Sequence, residues 1–481
     1  MQRLGMKKPN AMRFAHNEAL ALGIRLALDN HAPERKGFIM ASQSSNETQA
    51  ASGWLLVAIL VGAYIISFVD RQILSLLVQD LRTDLAITDT QIGLLQGPAF
   101  GVFYAVMGMP FGWLADRTHR LRLIASGLLL WTLMTMLGGL ADSFTWLFIT
   151  RMGVGVGEAA LVPAAVSLLA DCFAPNKRAL PLSIFTAGAS AGAGLALVLG
   201  SALIAFANGG VSGFPLIGVW LDGRATWQIV LILAGLAGIP FAVLILFLPE
   251  PHRRDEAARH DDIPNAGLVA YLGQHRRLFL PLFAGSSLLY IFANALSAWL
   301  PSMFERTFGW QPAMVGLRLG LLILSGAIIG NILSGVIATA LVKGERPNGT
   351  LLTMSLGAAL LAPVAIAGLL APNVSLAQMA VPAIYFAIAL CFGVATATFV
   401  AVTPARLRGQ MVALYLLLGN LFGLGLGPPS VGLVLERILV DPVRVGPALA
   451  IVAALTVVTG AILLRIALRP HSLLAETLED H

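Results

Sequence analysis

The chain has 481 residues, of which 57% are hydrophobic and 12% charged, with a mean hydropathy of +0.81 and a formal net charge of +6. Soluble domains carry about 25% charged residues, so this composition excludes a water-soluble globule and indicates an integral membrane protein. The basic residues are spread through short loops rather than gathered in one patch, which argues against nucleic acid as a partner. Cys172 and Cys391 lie far apart and give no disulfide framework, metal pair or redox motif.

In chain order, residues 1–50 are polar and of mixed charge, with no apolar core followed by a small-residue cleavage site. They read as a cytoplasmic segment, partly disordered, with a short amphipathic helix near 12–30, and not as a secretory leader. Crossing the hydrocarbon of a bilayer takes about 20 apolar residues. Such runs fall near 54–77, 91–113, 121–141, 144–170, 181–206 and 227–248, then near 279–302, 313–341, 350–370, 376–402, 410–436 and 443–467. The longest polar interruption, "PEPHRRDEAARHDDIPNAGLVAYLGQHRRL", separates the sixth from the seventh. The spacing predicts an all-α membrane protein of twelve transmembrane helices in two pseudo-symmetric six-helix bundles. The bundles cover 51–248 and 279–468, with a cytoplasmic linker at 249–278 and a cytoplasmic tail at 469–481.

Alternate loops differ in charge. One set holds fourteen basic residues, Arg117, Arg120, Arg253 and Arg254 among them, and the other holds five, Arg82, Arg224, Arg306, Arg437 and Arg444. This bias places both termini and the long middle loop in the cytoplasm. The halves also echo each other: "GWLAD" at 112–116 closes the second run and "GVIAT" at 335–339 closes the eighth. Six-loop-six with such an echo suggests duplication of a six-helix unit, an arrangement found among secondary transporters.

"GWLADRTHRLRLI", from Gly112, resembles the loop signature of the major facilitator superfamily at Gly112, Leu114, Ala115, Asp116, Arg117 and Arg120, and departs from it at His119, where the family has glycine. More narrowly, "SFVDRQILSLL" in the first run and "RMGVGVGEAALVPAA" in the fourth resemble the spinster branch, a resemblance that implies a lysophospholipid or sphingosine-1-phosphate as cargo. Similar glutamate motifs occur in organic-anion branches, so a proton-linked organic-anion or multidrug carrier is the alternative. Short loops and few additions favour a bacterial member in the inner membrane. At Gly112, Asp116, Arg117 and Arg120 the resemblance implies a cytoplasmic gate, beside the plainer reading of charges that set topology.

The intramembrane charges are legible from depth. Asp70 lies 16 residues above Trp54, about 24 Å at 1.5 Å per residue, in the outer half of the membrane. The fourth run descends, so Arg151 lies at a similar level and can meet Asp70 if the helices are neighbours. Glu158, seven residues on, faces nearly the same side about 10 Å deeper. A charge near the bilayer centre costs ~2.5–3.5 kcal/mol on insertion scales, so each must face a cavity or a partner. Desolvation and a nearby arginine act on a glutamate's proton in opposite directions, which leaves it able to take and lose one. Asp70, Arg151 and Glu158 therefore read either as a proton-coupling relay or as a static ion pair that fixes packing, and intramembrane ionisable residues favour the relay. Arg71, about 100° round the helix from Asp70, is a fourth candidate.

Other polar residues at membrane depth are candidates for the substrate cavity: Gln96, Tyr104, Thr186, Ser190, Tyr290, Asn294, Thr396 and Tyr415, with Arg318 near the outer start of the eighth run. Two glycine-rich runs, "GASAGAGLALVLG" at 188–200 and "GNLFGLGLGPPSVG" at 419–432, suit close or sliding helix contacts. The one G-x-S-x-G match, GASAG at 188–192, lies inside an apolar membrane run and not on a strand-to-helix elbow, and no H-E-x-x-H or P-loop supports an enzyme or an ATP-driven pump. The expected partners are an amphiphilic lipid or organic anion, the proton and the bilayer, with a monomeric carrier and no cofactor.

Overall fold

Thr88 opens the second membrane helix with a reciprocal cap: the Gln91 N–H donates to its hydroxyl at 3.2 Å, and its own N–H donates to the Gln91 side-chain oxygen at 2.9 Å. Local signals of this kind and the apolar runs together make the chain helical throughout the computed structural model, which describes residues 32–173, 177–209, 221, 223–251, 253, 266–344 and 346–479. Eleven helices are long and apolar enough to cross a membrane. They are α1 (Gly53–Leu76, the apolar end of a helix that begins at Ala32), α2 (Asp89–Arg117), α3 (Arg120–Gly138), α4 (Phe144–Cys172), α6 (Thr226–Leu246), α7 (Arg276–Phe308), α8 (Pro312–Lys343), α9 (Gly349–Leu369), α10 (Val374–Ala401), α11 (Ala405–Leu439) and α12 (Val445–Thr477). The 30-residue α5 (Ala179–Asn208) completes twelve among the described residues, which contain no strand. The expected amphipathic segment near 12–30 lies outside the described residues. The linker contributes a short helix, Ala266–Gln274, and the tail expected from 469 continues as helix to Glu479.

Two helices break where the chemistry sits. α2 is interrupted at Gly97, followed by Pro98 at the first position of the next segment, where a missing N–H costs nothing. α4 is interrupted directly after Glu158.

Connectivity defines two faces. The linker, the α2–α3 loop and the α8–α9 loop lie on one, the linker face; the α1–α2, α7–α8 and α11–α12 connections lie on the other, the far face. The halves meet chiefly through two helix pairs, α5 with α8 and α2 with α11. Both contacts lie toward the far face and both depend on glycine. A Cβ on Gly194 of α5 would come within 2.7 Å of the Gly320 carbonyl of α8, and one on Gly93 of α2 within 2.7 Å of the Pro428 carbonyl of α11. The same α2, nearer the linker face, has Gly108 and Gly112 with nothing within 4 Å of a Cβ, and Gly335 of α8 is equally open. The halves converge at the far face and diverge toward the linker face. Large apolar side chains such as Leu321, Ile332 and Met379 cover the outer surface, as a bilayer requires.

Candidate functional site: a charged cluster on the wall of a central cavity

α1 carries Asp70 and Arg71 on adjoining positions, so their side chains leave the helix about 100° apart. Arg71 turns to the space between the halves and grips Glu158 of α4: Nε donates to Oε2 at 2.7 Å and Nη2 lies 2.6 Å from the same oxygen. The glutamate side chain is fully buried and that of Arg71 is 18% exposed. Three aromatic rings bracket the guanidinium, Phe68, Phe100 and Tyr104, with centroids 5.2, 4.7 and 4.6 Å away. Cation–π contacts of this kind hold a desolvated guanidinium in place.

Arg151 does not take the partner that depth alone suggests. Its Nη1 donates to the main-chain carbonyl of Asp70 at 3.2 Å rather than to the carboxylate. Both carboxylate oxygens of Asp70, Oε1 of Glu158 and Nε of Arg151 are buried without a hydrogen-bond partner. Depth is read along a helix axis, whereas partner choice depends on azimuth, and that is why the Asp70–Arg151 side-chain pair expected above gives way to Arg71–Glu158. The cluster holds two carboxylates and two guanidiniums with unused donors and acceptors, so it can rearrange without breaking a saturated network.

A cavity of about 490 Å³ opens beside this cluster, within the size range of small-molecule sites. From the first half it is lined by Tyr64, Phe68, Arg71, Gln72, Gln96, Phe100, Tyr104, Arg151, Val162 and Ala193. The second half contributes Tyr290, Ala293, Asn294, Ser297, Ala298, Tyr385, Ile388, Phe392, Leu416, Asn420, Leu424 and Pro428. Of the candidates named from sequence, Gln96, Tyr104, Tyr290 and Asn294 are on this wall. Tyr415 is buried behind it, donating to the Tyr290 hydroxyl at 3.4 Å. Thr186, Thr396 and Arg318 are not on the wall: all three are exposed. The Thr186 hydroxyl returns to its own helix at Leu182, and the Arg318 guanidinium covers the Trp310 ring at 5.1 Å. These residues are at suitable depth but on the wrong side of their helices. The Ser190 side chain lies outside the described residues.

At the linker face the superfamily-like loop is tied down through Arg120 and Arg253, with Asp171 and Glu250 as partners not named from the sequence. Arg120 is fully buried and forms an ion pair with Asp171 at the end of α4. Its Nε donates to Oε1 of Glu250 at 3.0 Å, and Glu250 also accepts from the main-chain N–H groups of Arg120 and Leu121 and pairs with His119. Partial burial pushes the Glu250 carboxyl up, but the Arg120 N–H and guanidinium and the Leu121 N–H outweigh it and hold the group below its ordinary value. Arg253 donates to the main-chain carbonyls of Ala115, Asp116 and Thr118. Arg117 lies exposed over the Trp113 ring at 4.3 Å, and Gly112 borders open space.

The far face carries a latch between the halves. Arg306 at the end of α7 holds Asp89 at the start of α2 with two bonds, 2.7 and 3.1 Å, both side chains being 3% exposed. Next to it Thr90 donates its N–H and hydroxyl to Glu436 of α11 at 2.8 and 2.6 Å. Sequence reading counted Arg306 only as a loop charge. The available hint was Asp89 in the first turn of a capped helix, where an acidic residue suits the helix dipole.

A family model described as Major Facilitator Superfamily matches residues 60–428. The chain belongs to the Major Facilitator Superfamily. Among curated relatives it is similar to an MFS-type efflux pump of Mycolicibacterium smegmatis, 30% identical over 61% of this chain and 64% of that one. It is also similar to protein spinster of Drosophila melanogaster, 27% identical over 61% of this chain and 47% of that one. The chain thus spans about half to two thirds of the length of these relatives. Among solved structures, a bacterial homologue of the human lysosomal transporter spinster in an inward-facing and occupied conformation superposes with a TM-score of 0.71 and 26% identity, covering 89% of this chain and 98% of that one. The same homologue in its unoccupied inward-facing form gives 0.74 at 24% identity over 89% and 98%. In this superfamily frame the protein is a multi-pass membrane protein with the major facilitator fold.

Proposed function

We propose that the protein is a secondary carrier working by alternating access, coupled to protons, that moves a lysophospholipid or sphingolipid-like amphiphile. The observation that carries this reading is the buried Arg71–Glu158 ion pair on the wall of a cavity that is latched at one face and open toward the other. A proton taken by Glu158 removes the charge that holds Arg71, freeing the guanidinium for an anionic headgroup. Asp70, whose carboxylate accepts no hydrogen bond, lies beside Arg151, which donates to its main-chain carbonyl, and is the second carboxylate of the cluster that can take a proton. The lipid cargo is what the spinster-like motifs of α1 and α4 imply, and the likeness to spinster proteins in sequence and fold supports that branch.

With the basic linker face in the cytoplasm, as the loop charges favour, the cavity opens inward. The bacterial inner membrane, a monomeric state and two bundles over 51–248 and 279–468 complete the reading, with Gly112, Asp116, Arg117 and Arg120 at the inner gate.

A second reading, an organic-anion or drug carrier, is favoured by two other relatives. These are the MFS-type efflux pump and a probable L-galactonate transporter of Escherichia coli, the latter 27% identical over 60% of this chain and 61% of that one. The test is flux of a labelled lysophospholipid in proteoliposomes with and without a pH gradient. Gradient-dependent flux supports the lipid reading; its absence, with galactonate or drug flux present, replaces it by the second.

A further inference from the structure

The two walls of the cavity differ in chemistry. All its cations come from the first half, Arg71 and Arg151; among the described lining residues the second half presents no charge at all. It presents instead neutral groups that both give and accept hydrogen bonds. Asn294 and Ser297 follow Tyr290 at helical spacing on α7, and Asn420 faces the same space from α11; the Ser297 hydroxyl is already taken, accepting from the Gln72 amide of α1 at 2.5 Å.

The two asparagines are held alike. Each donates one amide hydrogen to the carbonyl four residues back on its own helix, Asn294 to Tyr290 and Asn420 to Leu416, both at 2.9 Å. That bond fixes the amide plane and leaves a second N–H and the carbonyl oxygen for a ligand. α11 makes room for this: a Cβ on Gly423 would come within 2.7 Å of the Asn294 amide nitrogen, and one on Gly419 within 2.6 Å of the Tyr290 ring. Across the cavity Gln96 keeps its side-chain nitrogen buried with no partner.

Resting on the carrier reading above, we propose that this neutral wall reads hydroxyl groups: the substrate is an anion that carries free hydroxyls beside its charge. The anion faces Arg71 and Arg151, and Asn294 and Asn420 take the hydroxyls. A hydroxyl both donates and accepts, so it satisfies an amide from either side, whereas a quaternary ammonium can do neither. A buried amide left dry is penalised, so a site built in this way discriminates against an analogue that lacks the hydroxyl. Two sources offer this chemistry, the glycerol hydroxyl of a lysophospholipid and a free sugar acid.

The experiment uses the full chain in proteoliposomes and two substrate pairs. One is 1-acyl-glycerol-3-phosphate against its 2-deoxy analogue, the other galactonate against a deoxygalactonate. The wild type is expected to favour the hydroxylated member of at least one pair by about tenfold in kcat/KM, and Asn420→Ala and Asn294→Ala to compress that ratio to about twofold. Asn420→Ser, which restores a hydrogen-bonding group, is expected to recover part of the ratio. Asn294→Leu, of similar volume, serves if Asn294→Ala does not fold. Preference in the lipid pair supports both the inference and the lipid reading. Preference in the galactonate pair alone keeps the inference and removes the lipid reading. Lipid flux with no preference for the hydroxyl, or a ratio that survives substitution of both asparagines, overturns the inference and leaves the lipid reading standing. Flux of neither pair overturns both.

Discussion

Arg71 and Glu158, 87 residues apart in sequence, share an ion pair of 2.6 Å with the glutamate fully buried. Removing one partner of such a pair leaves an uncompensated charge, at a cost of ~3–5 kcal/mol. Arg71→Ala is therefore expected to lower the thermal stability of the detergent-solubilised protein markedly. Arg71→Ala combined with Glu158→Gln is expected to recover most of the loss, because the stranded charge has gone. Melting curves of the three proteins check this, and equal losses for Arg71→Ala and the double variant would show that the pair is not the cause.

Asp70 is fully buried and its carboxylate has no hydrogen-bond partner. Substituting it by the isosteric amide breaks no bond that the structure records. Asp70→Asn should keep the wild-type melting temperature within a few degrees while reducing gradient-driven flux by about tenfold or more, about 1.4 kcal/mol. A folded variant with full gradient-driven flux would place Asp70 among the packing residues.

The far-face latch should set the balance of conformations. Asp89 and Arg306 are each 3% exposed, so Arg306→Ala leaves a buried carboxylate with only Arg82 at 3.9 Å beside it, and it gains by meeting water. Opening of the far face is the expected response. Spin labels at Leu140 after α3 and Leu370 after α9, both exposed on that face, are expected to move apart in the variant. An unchanged distance distribution would mean that the glycine contacts of α2 with α11 and α5 with α8 suffice to hold the face shut.

Glu250 gives the linker face a pH dependence of definite sign. Its folded value lies below the unfolded one, so its contribution to stability is fully present above the unfolded value of about 4.3. That contribution is lost as pH falls through the folded value. Melting temperature is expected to drop on acidification from about pH 5 to pH 3 more steeply in the wild type than in Glu250→Gln. Parallel curves would remove Glu250 from the account.

The twelve helices were legible because hydropathy is a local property and each run announces itself within about 20 residues. Depth was legible for the same reason, and it put Asp70 and Arg151 at one level with Glu158 about 10 Å deeper. Azimuth was not. Whether Arg71 or Asp70 faces the cavity depends on Phe68, Phe100 and Tyr104, which come from two helices. Thr186, Thr396 and Arg318 have suitable depth and face elsewhere. Contacts between distant segments were the least legible: Asp89 and Arg306 are 217 residues apart, and nothing local in either stretch names the other. Asn420 was passed over because one asparagine in a glycine-rich helix reads as packing until Asn294 is seen opposite Gly423.

The most direct test of the central claim, that protonation of the Arg71–Glu158 pair couples substrate to proton movement, is a measurement of protons rather than of substrate. Proteoliposomes loaded with a pH-sensitive dye receive 1-acyl-glycerol-3-phosphate, with wild type and Glu158→Gln in parallel. The account expects a substrate-driven change of lumenal pH in the wild type and none in the variant, while substrate exchange across a membrane without a gradient continues in both. Equal proton movement in the variant would contradict it and reduce the ion pair to a packing device.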